Sequence, residues 1–590
     1  MSDSVTLASD LQGTRAMRKS CRAFRFAKAA AAVALLVGFG DACAREEDLS
    51  AVRAAIASAV AQTHAFECPR GRVPQSGRAR CVRDPRGLQE ALQSLYSRSA
   101  DSPLWSGEDG PTPQAVELLA ALRAVDTYGL RPEDYVPQAT AQVSGMPATP
   151  PRDAAARRAW SDVELSAAAL RLVSDLHFGR IEPQRAGFQL DTPRQPFDLA
   201  AAVQRLAGAE GVARVLESVE PQFYHYKLLE IALRRYRGLA ERTGPTVLPV
   251  PRKSVRLGDT YAGAPALRHL LMAVGDLPAA SGPGSSDLVV DAALASAIAR
   301  FQTRHGLNPD GVLGKTTYAA LAIPPAQRVR QIELTLERWR WLPAFDTPPI
   351  IVNIPEFRLF AFQSTADRKA SILQMDVIVG KSYRRFQTPV FAADMKYVVF
   401  RPYWDIPYSI MLREMLPRIR ANPAYLAQQH LEIVAGQTDA ARPLPPTSSN
   451  IELLAAGKLR LRQQPGADNA LGLIKFMLPN HYNVYLHATP AHNLFKESRR
   501  AFSHGCIRVS DPVALAEHVL RNAAGEWTRE RIQAAMSGST TQRTNLVRPI
   551  RVMILYGTVL ATESGDVLFF DDIYGGDRKL EALLGLTPVT

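Results

Sequence analysis

Cysteine is scarce in this chain, and so are charge and long apolar runs. Five cysteines in 590 residues exclude a disulfide-dense scaffold. A composition with 22% charged and 46% hydrophobic residues excludes a mostly disordered chain. No apolar run reaches the roughly 18 residues of a membrane-spanning helix, which excludes a multi-span membrane protein. At roughly 100–200 residues per domain, the length predicts three or four domains.

The N-terminus has the pattern of an export signal. Basic residues are frequent over 15–28, an apolar run follows over 29–39, and Ala42-Cys43-Ala44 forms a small-residue cleavage site. This pattern predicts a signal peptide over 1–44 that is cleaved after Ala44 and leads to the periplasm. An uncleaved anchor that keeps the protein at the membrane is the alternative.

The net charge of +13 favours an anionic partner such as the cell wall or a membrane surface. Nucleic acid is not predicted as a partner, because the protein is predicted to be exported. The sequence also has no run of Lys and Arg interleaved with aromatic residues.

Predicted export also bears on the role of each cysteine, because disulfides can form in an oxidising compartment. Cys21 and Cys43 leave with the signal, and Cys68 and Cys81 could form one disulfide in a polar linker over 45–84. Cys506 is then left without a partner. A lone cysteine in an exported protein is either a buried bystander or a reactive thiol, and its neighbours decide between the two.

Helical periodicity dominates 85–245, where we predict an all-α scaffold domain. Apolar residues recur every three to four positions over 115–125, 163–176 and 227–239. A Pro-containing segment over 245–255 predicts a linker.

A smaller helical module follows over 253–325. Its helix over 291–305 carries Phe301-Gln302 and runs into His305-Gly306-Leu307, and two Gly-containing turns come next at Asp310-Gly311 and Gly314. This string resembles the three-helix peptidoglycan-binding module. An amphipathic helix over 330–342, within a linker over 326–345, connects it to the rest of the chain.

From residue 349 the apolar period changes to two, which predicts strands. The predicted strands are 350–354, 358–362, 375–379, 397–401, 482–487, 552–556 and 567–570. Helical, Pro-rich sequence over about 409–465 interrupts them and predicts an insertion that caps a site. The predicted fold class is multidomain α+β, with the mainly-β domain over 346–578 and a helical capping insertion.

The chemistry converges on residues 482–511. Cys506 lies in Ser503-His504-Gly505-Cys506-Ile507-Arg508, and His487 ends a predicted strand with Tyr485 on the same face. A thiol attacks an acyl carbon as thiolate, and a nearby His supplies both a base and a positive charge.

The remaining residues of this segment have supporting predictions. Gly505 lets the backbone approach a reacting carbonyl, and backbone N–H groups near Cys506 predict an oxyanion hole. Arg508 would lower the pKa of the thiol or bind a substrate carboxylate.

Other readings of this segment fit less well. The candidate metal ligands in this part of the chain are His481, His487, His492, His504 and Cys506. Of these, only His487 and His492 have the spacing of a zinc-binding His pair, and they are separated by a strand end and by Thr489-Pro490 and so do not lie on one helical face. No metal or cofactor is predicted. A papain-like protease is disfavoured, because those enzymes place the catalytic cysteine before the histidine in the chain. A buried, unreactive Cys506 is also disfavoured, because the SHGC string is too polar for a core strand.

His487, followed after fifteen residues by SHGCIR, resembles the catalytic signature of the L,D-transpeptidases. The resemblance extends over about 349–575 and includes YVVFRPYWDIP, RQQPGADNALGLIKF and FDDIY. The layout of helical scaffold, binding module and capped catalytic domain is similar to the large periplasmic members. Ser510-Asp511 departs from the family pattern, which has Asn after the signature.

The resemblance implies a mechanism and partners. Cys506 would attack the carbonyl of the third residue, a diamino acid, of a peptidoglycan tetrapeptide stem and release D-Ala. His487 would act as the base, and the amine of a second stem would resolve the thioester into a 3–3 crosslink. Carbapenem-type β-lactams are implied as covalent inhibitors. Ser503, His504, Gly505, Arg508 and Tyr485 would serve the oxyanion or position the substrate.

Three other functions remain open on the sequence. Water could take the acyl group, which would make the protein an L,D-carboxypeptidase. A protein lysine could take it, which would anchor a lipoprotein to the wall. A non-enzymatic wall-binding scaffold is the third alternative, and the intact His487 and Cys506 count against it.

Overall fold

The computed structural model describes residues 49–63, 66, 84–107, 109–136, 153–190, 196–242, 247–278, 288–363 and 372–586. The predicted signal peptide over 1–44 and the predicted Cys68–Cys81 pair lie outside these ranges. Within them, no helix combines the length and the apolar character needed to cross a membrane.

The first half of the chain is helical, as its periodicity predicts. Its α-helices are Leu49–Gln62, Pro85–Arg98, Pro113–Arg123, Ala154–Phe178, Pro183–Ala186, Leu199–Ala207, Val212–Val219 and Tyr224–Arg242. Several begin at an Asp or Thr whose side chain accepts a hydrogen bond from a first-turn N–H, as Asp153 does from Ala156. Three short strands, β1 (Ser106–Gly107), β2 (Gly110–Pro111) and β3 (Phe188–Gln189), lie between the helices.

The helix Leu49–Gln62 lies in the range predicted as a linker. Val52, Ile56 and Val60 are spaced by four and are buried in the same core as the central helix Ala154–Phe178. This stripe is narrow and set among alanines, so composition gives little sign of it.

The second helical unit has α-helices Ala264–Val274, Ala292–Arg304 and Lys315–Leu321, and the helix Pro325–Trp339 follows it. Gln302 explains the Phe-Gln string, because its Nε2 donates to Asp310 Oδ1 (2.8 Å) and its Oε1 accepts from Gly311 N (2.8 Å). Gly311 has φ +69° and lies against the backbone of Ala295, so a side chain would not fit there.

The mainly-β region consists of strands and a few helices. The strands are β4 (Ile350–Asn353), β5 (Arg358–Ala361), β6 (Leu373–Gly380), β7 (Val390–Phe400), β8 (Trp404–Asp405), β9 (Leu431–Val434), β10 (Pro443–Leu444), β11 (Arg460–Gln463), β12 (Ile474–Met477), β13 (Leu486–His487), β14 (Ala501–Ser503), β15 (Ile507–Val509), β16 (Gln542–Leu555), β17 (Val559–Ala561) and β18 (Val567–Phe569). The helices outside the insertion are Pro512–Leu520, Arg529–Ser537 and Gly576–Leu583.

Strand pairing closes a barrel. The order β4-β5-β6-β15-β13-β12-β7-β16 returns to β4, because β7 pairs with both β12 and β16. The pairs are antiparallel except for β13 with β15 and β16 with β4. A closed barrel leaves no free edge. The largest buried apolar cluster of the described residues is built on these strands and also includes residues of flanking helices, such as Leu515 and Leu580.

The strand predicted over 482–487 is shorter than expected. Only Leu486–His487 is strand. In the preceding residues, hydrogen bonds from the side chain of Asn480 take the place of hydrogen bonds to a neighbouring strand. The amide of Asn480 accepts from the N–H of Tyr482 and Val484 and donates to the carbonyl of Val484. A side chain thus satisfies the backbone groups that a strand partner would otherwise pair.

The capping insertion is helical only in part. Its helices are Tyr408–Ile410, the π-helix Met411–Met415, Leu416–Ala421, Tyr425–Gln428 and Ser448–Ala455. The helical prediction missed a four-stranded sheet of order β10-β9-β11-β8. The insertion also buries its own apolar cluster, so it is a small folded unit rather than a loose loop.

The helical half and the barrel share structure. β3 pairs in parallel with the start of β7, and the helix Pro325–Trp339 packs against Tyr224–Arg242 and the β17–β18 hairpin. Arg180 and Glu337 form a buried ion pair, with Nε 2.9 Å from Oε2, and Glu337 Oε1 also accepts from the N–H of Ile181 (3.2 Å).

Candidate active site

Three adjacent barrel strands place the candidate residues on one outer face. Leu486 on β13 and Ile507 on β15 are paired and point into the core. His487 is therefore on the outside, level with Arg508 on one side and with Lys475 of β12 on the other. The insertion covers this face.

Cys506 comes immediately before β15. The N–H of Ile507 donates to the carbonyl of Tyr485 (3.1 Å), which brings Cys506 beside Tyr485, two residues before His487. Its Sγ lies 3.7 Å from the carbonyl oxygen of Asn483. Asn483 has φ +56°, a left-handed conformation that asparagine adopts more readily than most residues other than glycine.

The surroundings of the thiol have opposing effects on its pKa. Burial raises the pKa of Cys506, while hydrogen bonding at Tyr485 and the charges of Lys475 and Arg508 lower it, and the balance is an increase. The resting sulfur is therefore a protonated thiol at neutral pH, and its attack requires a base.

His487 is the candidate for that base. Its ring is buried, and its Nδ1 lies 2.6 Å from the carbonyl oxygen of Ala488, which can only accept a hydrogen bond. Nδ1 therefore carries the hydrogen, and Nε2 is the nitrogen left to take a proton. Burial first, then the charges of Arg508 and Lys475, lower the pKa of His487 to about 3, so the ring is neutral at physiological pH.

A backbone carbonyl thus occupies the position that an acidic residue has in a Ser-His-Asp triad. The carbonyl of Ala488 fixes the tautomer and the ring orientation without adding a negative charge. The acidic residues of segment 482–511 are Glu497 and Asp511, and Asp511 caps the helix Pro512–Leu520 by accepting from the N–H of Ala514.

The turn before Cys506 is held by hydroxyl groups. Ser503 Oγ donates to the carbonyl of Cys506 (2.6 Å) and accepts from the N–H of Gly505 (3.0 Å). Thr388 Oγ1 donates to the carbonyl of Gly505 (2.8 Å) and accepts from the N–H of Gly380 (2.9 Å). Gly505 itself has φ +122°, which a residue with a side chain adopts only with strain.

His504 points away from the thiol and toward the insertion. Its Nε2 lies 2.9 Å from Glu414 Oε1, on the π-helix Met411–Met415, and its ring meets the edge of Phe386 at 4.6 Å. This contact joins the insertion to the segment that carries Cys506.

A cavity of about 280 Å³ lies between the insertion and the barrel. The barrel side contributes Thr489, Pro490, Ala491 and Arg508. The insertion and its base contribute the other lining residues, namely Trp404, Met415, Tyr425, Gln429, Leu431, Gln463, Asp468 and Ala470. Trp404 is thus a wall of the cavity, whereas Tyr403 lies beneath the guanidinium of Arg462, 4.0 Å from ring centroid to Cζ.

Several residues of the site were not predicted from the sequence pattern. Lys475 has its Nζ 4.0 Å from the ring centroid of Tyr485, and its position between Ile474 and Phe476 in an apolar strand is the one signal that could have found it. Thr388 and Glu414 are distant in sequence, and nothing in their local pattern distinguishes them. Within the described ranges, no group of three or more His, Cys, Asp or Glu side chains could hold a metal ion.

Comparison with known proteins gives three family matches along the chain. Residues 90–233 match a scaffold domain, residues 262–321 a family described as "Putative peptidoglycan binding domain", and residues 348–541 an L,D-transpeptidase catalytic domain. The chain is also similar to a Haemophilus influenzae protein named "Putative L,D-transpeptidase", at 32% identity over 251 residues. That alignment covers 42% of this chain, and the chain spans about half (49%) of the length of the relative.

Proposed function

We propose that this chain, which belongs to the L,D-transpeptidase family through its catalytic domain, crosslinks peptidoglycan with Cys506 as nucleophile. One observation carries the proposal. A neutral, buried His487 whose tautomer is fixed by a backbone carbonyl lies on the same outer face as a solitary cysteine, under a cap that leaves a cavity.

In the first half of the proposed reaction, the thiol gives its proton to His487 Nε2 as the sulfur attacks the carbonyl of the third, diamino acid residue of a tetrapeptide stem. The tetrahedral intermediate collapses when the bond to the terminal D-Ala breaks. The protonated His487 returns its proton to the leaving amine. The products are free D-Ala and a thioester on Cys506.

In the second half, the side-chain amine of another stem attacks the thioester. His487 takes the proton that the amine loses, and the thiolate of Cys506 leaves and is reprotonated. The product is a 3–3 crosslink. A cap over the site limits the access of water, which would otherwise compete with the amine for the thioester.

The rest of the chain supports the same substrate. A peptidoglycan-binding module raises the concentration of stems near the thiol when both parts hold the same mesh. Export through the 1–44 signal would place the protein in the periplasm. Carbapenem-type β-lactams would acylate Cys506 by the same attack on a carbonyl.

The test is mass spectrometry of the mature protein incubated with a purified disaccharide-tetrapeptide, with Cys506→Ala beside it. We expect a crosslinked dimer that has lost one D-Ala, and we expect no dimer with the variant. Tripeptide without dimer would assign an L,D-carboxypeptidase or a different acceptor. An unchanged substrate with wild-type protein would contradict the proposal.

A further inference from the structure

Two basic segments meet beside the turn that carries the candidate nucleophile. One is 381–385 (KSYRR), which follows β6, and the other is 496–499 (KESR), which precedes β14. They are distant in the chain, and the parallel pairing of β14 with the end of β6 brings them together. Ser382 Oγ accepts from Arg499 Nη2 (3.0 Å), which joins the two segments directly. Together they form a basic rim on the surface of the barrel.

The positive charges of the basic rim are not neutralised within the protein. In the described part of the chain, no carboxylate forms an ion pair with its five cations, namely Lys381, Arg384, Arg385, Lys496 and Arg499. Lys381 and Arg385 contact the ring of Phe386, at 5.5 and 4.6 Å from its centroid, which holds them in place without cancelling their charge. The two segments contain one acidic residue, the exposed Glu497. Such a surface attracts an anionic ligand.

The loop over 381–387 begins and ends on the turn that holds the nucleophile. At its start, the N–H of Lys381 donates to the carbonyl of Ser503 (3.0 Å). At its end, a Cβ added to Gly505 would lie 3.8 Å from the carbonyl oxygen of Gln387. A loop this short cannot extend more than roughly 10 Å from its two ends. Its exposed cations are therefore neighbours of the reacting sulfur.

The basic rim and the cavity lie on different sides of Cys506. Arg508, which follows Cys506, lines the cavity, and no residue of the basic rim does. The basic rim is attached instead to Ser503 and Gly505, which precede Cys506. In the proposed reaction the first stem is already bound as a thioester when the second stem arrives, so the second stem needs an approach of its own.

The chemistry of a stem indicates which anion the basic rim would meet. The terminal carboxylate lies roughly 6–10 Å from the side-chain amine of the third residue, according to whether the stem ends at the third or the fourth residue. An amine placed at Cys506 therefore puts this carboxylate within reach of Arg384 and Arg385, whose planar donors match it in a bidentate arrangement. Tyr383, which is 73% exposed beside them, offers an aromatic face to the attached peptide or sugar.

We propose that the basic rim binds the terminal carboxylate of the acceptor stem, with Arg384 and Arg385 as the principal contacts, and so holds the acceptor amine near the thioester. This inference rests on the proposed function and adds the site of the acceptor. Water has no carboxylate to bind there, so the basic rim favours transfer to an amine over hydrolysis.

The test lets two acceptors compete for one thioester in the full-length mature protein. The donor is an unmodified disaccharide-tetrapeptide. The acceptors are equal amounts of two disaccharide-tripeptides, which have no D-Ala to release, one with a C-terminal carboxylate and one with an isotope-labelled C-terminal carboxamide. Mass spectrometry gives the ratio of the two crosslinked products. A general loss of thiol reactivity lowers both products equally and leaves this ratio unchanged.

We expect wild type to prefer the carboxylate acceptor about three- to ten-fold, as two exposed charge contacts would give. Arg384→Gln/Arg385→Gln should bring the ratio to about 1. Arg384→Lys/Arg385→Lys should keep part of it, because the charge remains while the bidentate geometry is lost. High salt should lower the wild-type ratio, since exposed charges are screened.

Arg543→Gln/Arg548→Gln is the matched control. Both arginines are exposed on β16, which is separated from β6 by β4 and β5 in the order of the barrel. Their replacement should leave the product ratio at its wild-type value.

Equal amounts of the two products from wild type would overturn the inference and leave the proposed function intact. A full preference retained by Arg384→Gln/Arg385→Gln, or an equal loss of preference in the control, would overturn it as well. Absence of every crosslinked product from wild type would instead overturn the proposed function.

Discussion

Lys475, His487 and Arg508 lie side by side across three strands, so a neutral ring is flanked by two cations. The same two cations act on the thiol of Cys506, where they oppose the effect of burial on its pKa. One row of side chains therefore keeps the base neutral and makes the thiolate easier to form. Each effect can be measured by removing one residue.

Lys475→Met should raise the pKa of the Cys506 thiol. Removal of a nearby positive charge destabilises the thiolate, so the pKa of the thiol should rise further above its ordinary value. The measurement is the rate of iodoacetamide alkylation against pH, whose midpoint should move upward. Lys458→Met, an exposed lysine of the insertion, should leave the midpoint in place, and an equal midpoint in all three proteins would exclude a role for Lys475.

The pH dependence of stability should carry a contribution from His487. In the unfolded chain this ring takes up a proton as the pH falls through about 6.5, whereas in the folded protein its pKa is about 3 because of burial, then Arg508 and Lys475. The unfolded state therefore binds more protons, and the folded state loses about 1.4 kcal/mol per pH unit below about 6.5.

His487→Gln removes this titration. Between pH 7 and pH 5 we expect the variant to lose about 2 kcal/mol less of its unfolding free energy than wild type. Urea titrations at the two pH values measure this difference. Equal losses would mean that His487 titrates in the folded protein as an ordinary histidine.

At the scale of secondary-structure elements, the insertion contacts the segment that carries Cys506 through a π-helix, an uncommon helix type. The π-helix Met411–Met415 presents Glu414 to His504 and Met415 to the cavity. π-Helical turns occur often at functional sites, since the extra residue shifts the side chains that follow. The Glu414–His504 contact is thus placed where a movement of the cap would change the cavity.

Glu414→Gln should weaken the contact between the insertion and the segment that carries Cys506. Both partners are partly exposed, with 42% and 29% of their side-chain surfaces accessible, so the contact is a modest one. We expect KM for the tetrapeptide to rise about two- to five-fold with a smaller change in kcat. Steady-state kinetics measure both constants.

Glu452→Gln is the control for this variant. It breaks the exposed pair with Arg420 inside the insertion and does not touch the barrel. Its KM should equal that of wild type. If the two variants raise KM equally, the effect belongs to the stability of the insertion and not to its contact with His504.

At the scale of the whole molecule, buried charge joins the helical half to the helix Pro325–Trp339, which leads into the barrel. Glu337 is fully buried, and its carboxylate accepts from the side chain and N–H of Arg180 and from Ile181. The strand β3 extends the β-structure from the helical half. These contacts predict that the two parts unfold together.

Glu337→Ala should therefore destabilise the protein by about 3–5 kcal/mol, because it leaves the Arg180 guanidinium buried without its partner. The measurement is urea unfolding followed by tryptophan fluorescence and by far-ultraviolet circular dichroism. We expect one shared transition that moves to lower urea. Glu241→Ala, an exposed glutamate of the helix Tyr224–Arg242, should change stability little. A loss under 1 kcal/mol in Glu337→Ala would contradict this account.

The features that were predicted correctly from the sequence depend mostly on interactions between residues close together in the chain. Alternation around Leu486 put His487 on the outer face, the Asp and Thr caps and apolar spacing predict the helices, and Gln302 with Gly311 marks the binding module. These features depend on residues near one another in the chain, so a pattern can report them. The residue type and the spacing of His487 and Cys506 likewise give the candidate chemistry.

Other features depend on strand register and on the packing of distant segments, and these could not be predicted from the sequence. Closure of the barrel sets Lys475 beside His487, and Thr388 reaches Gly505 across more than a hundred residues. The sheet inside the insertion pairs short strands that have no distinctive period. Residue types and local spacing thus identify the candidate reactive groups, whereas the folded arrangement sets which charges surround them, because electrostatic neighbours depend on distance in space and not on position in the chain.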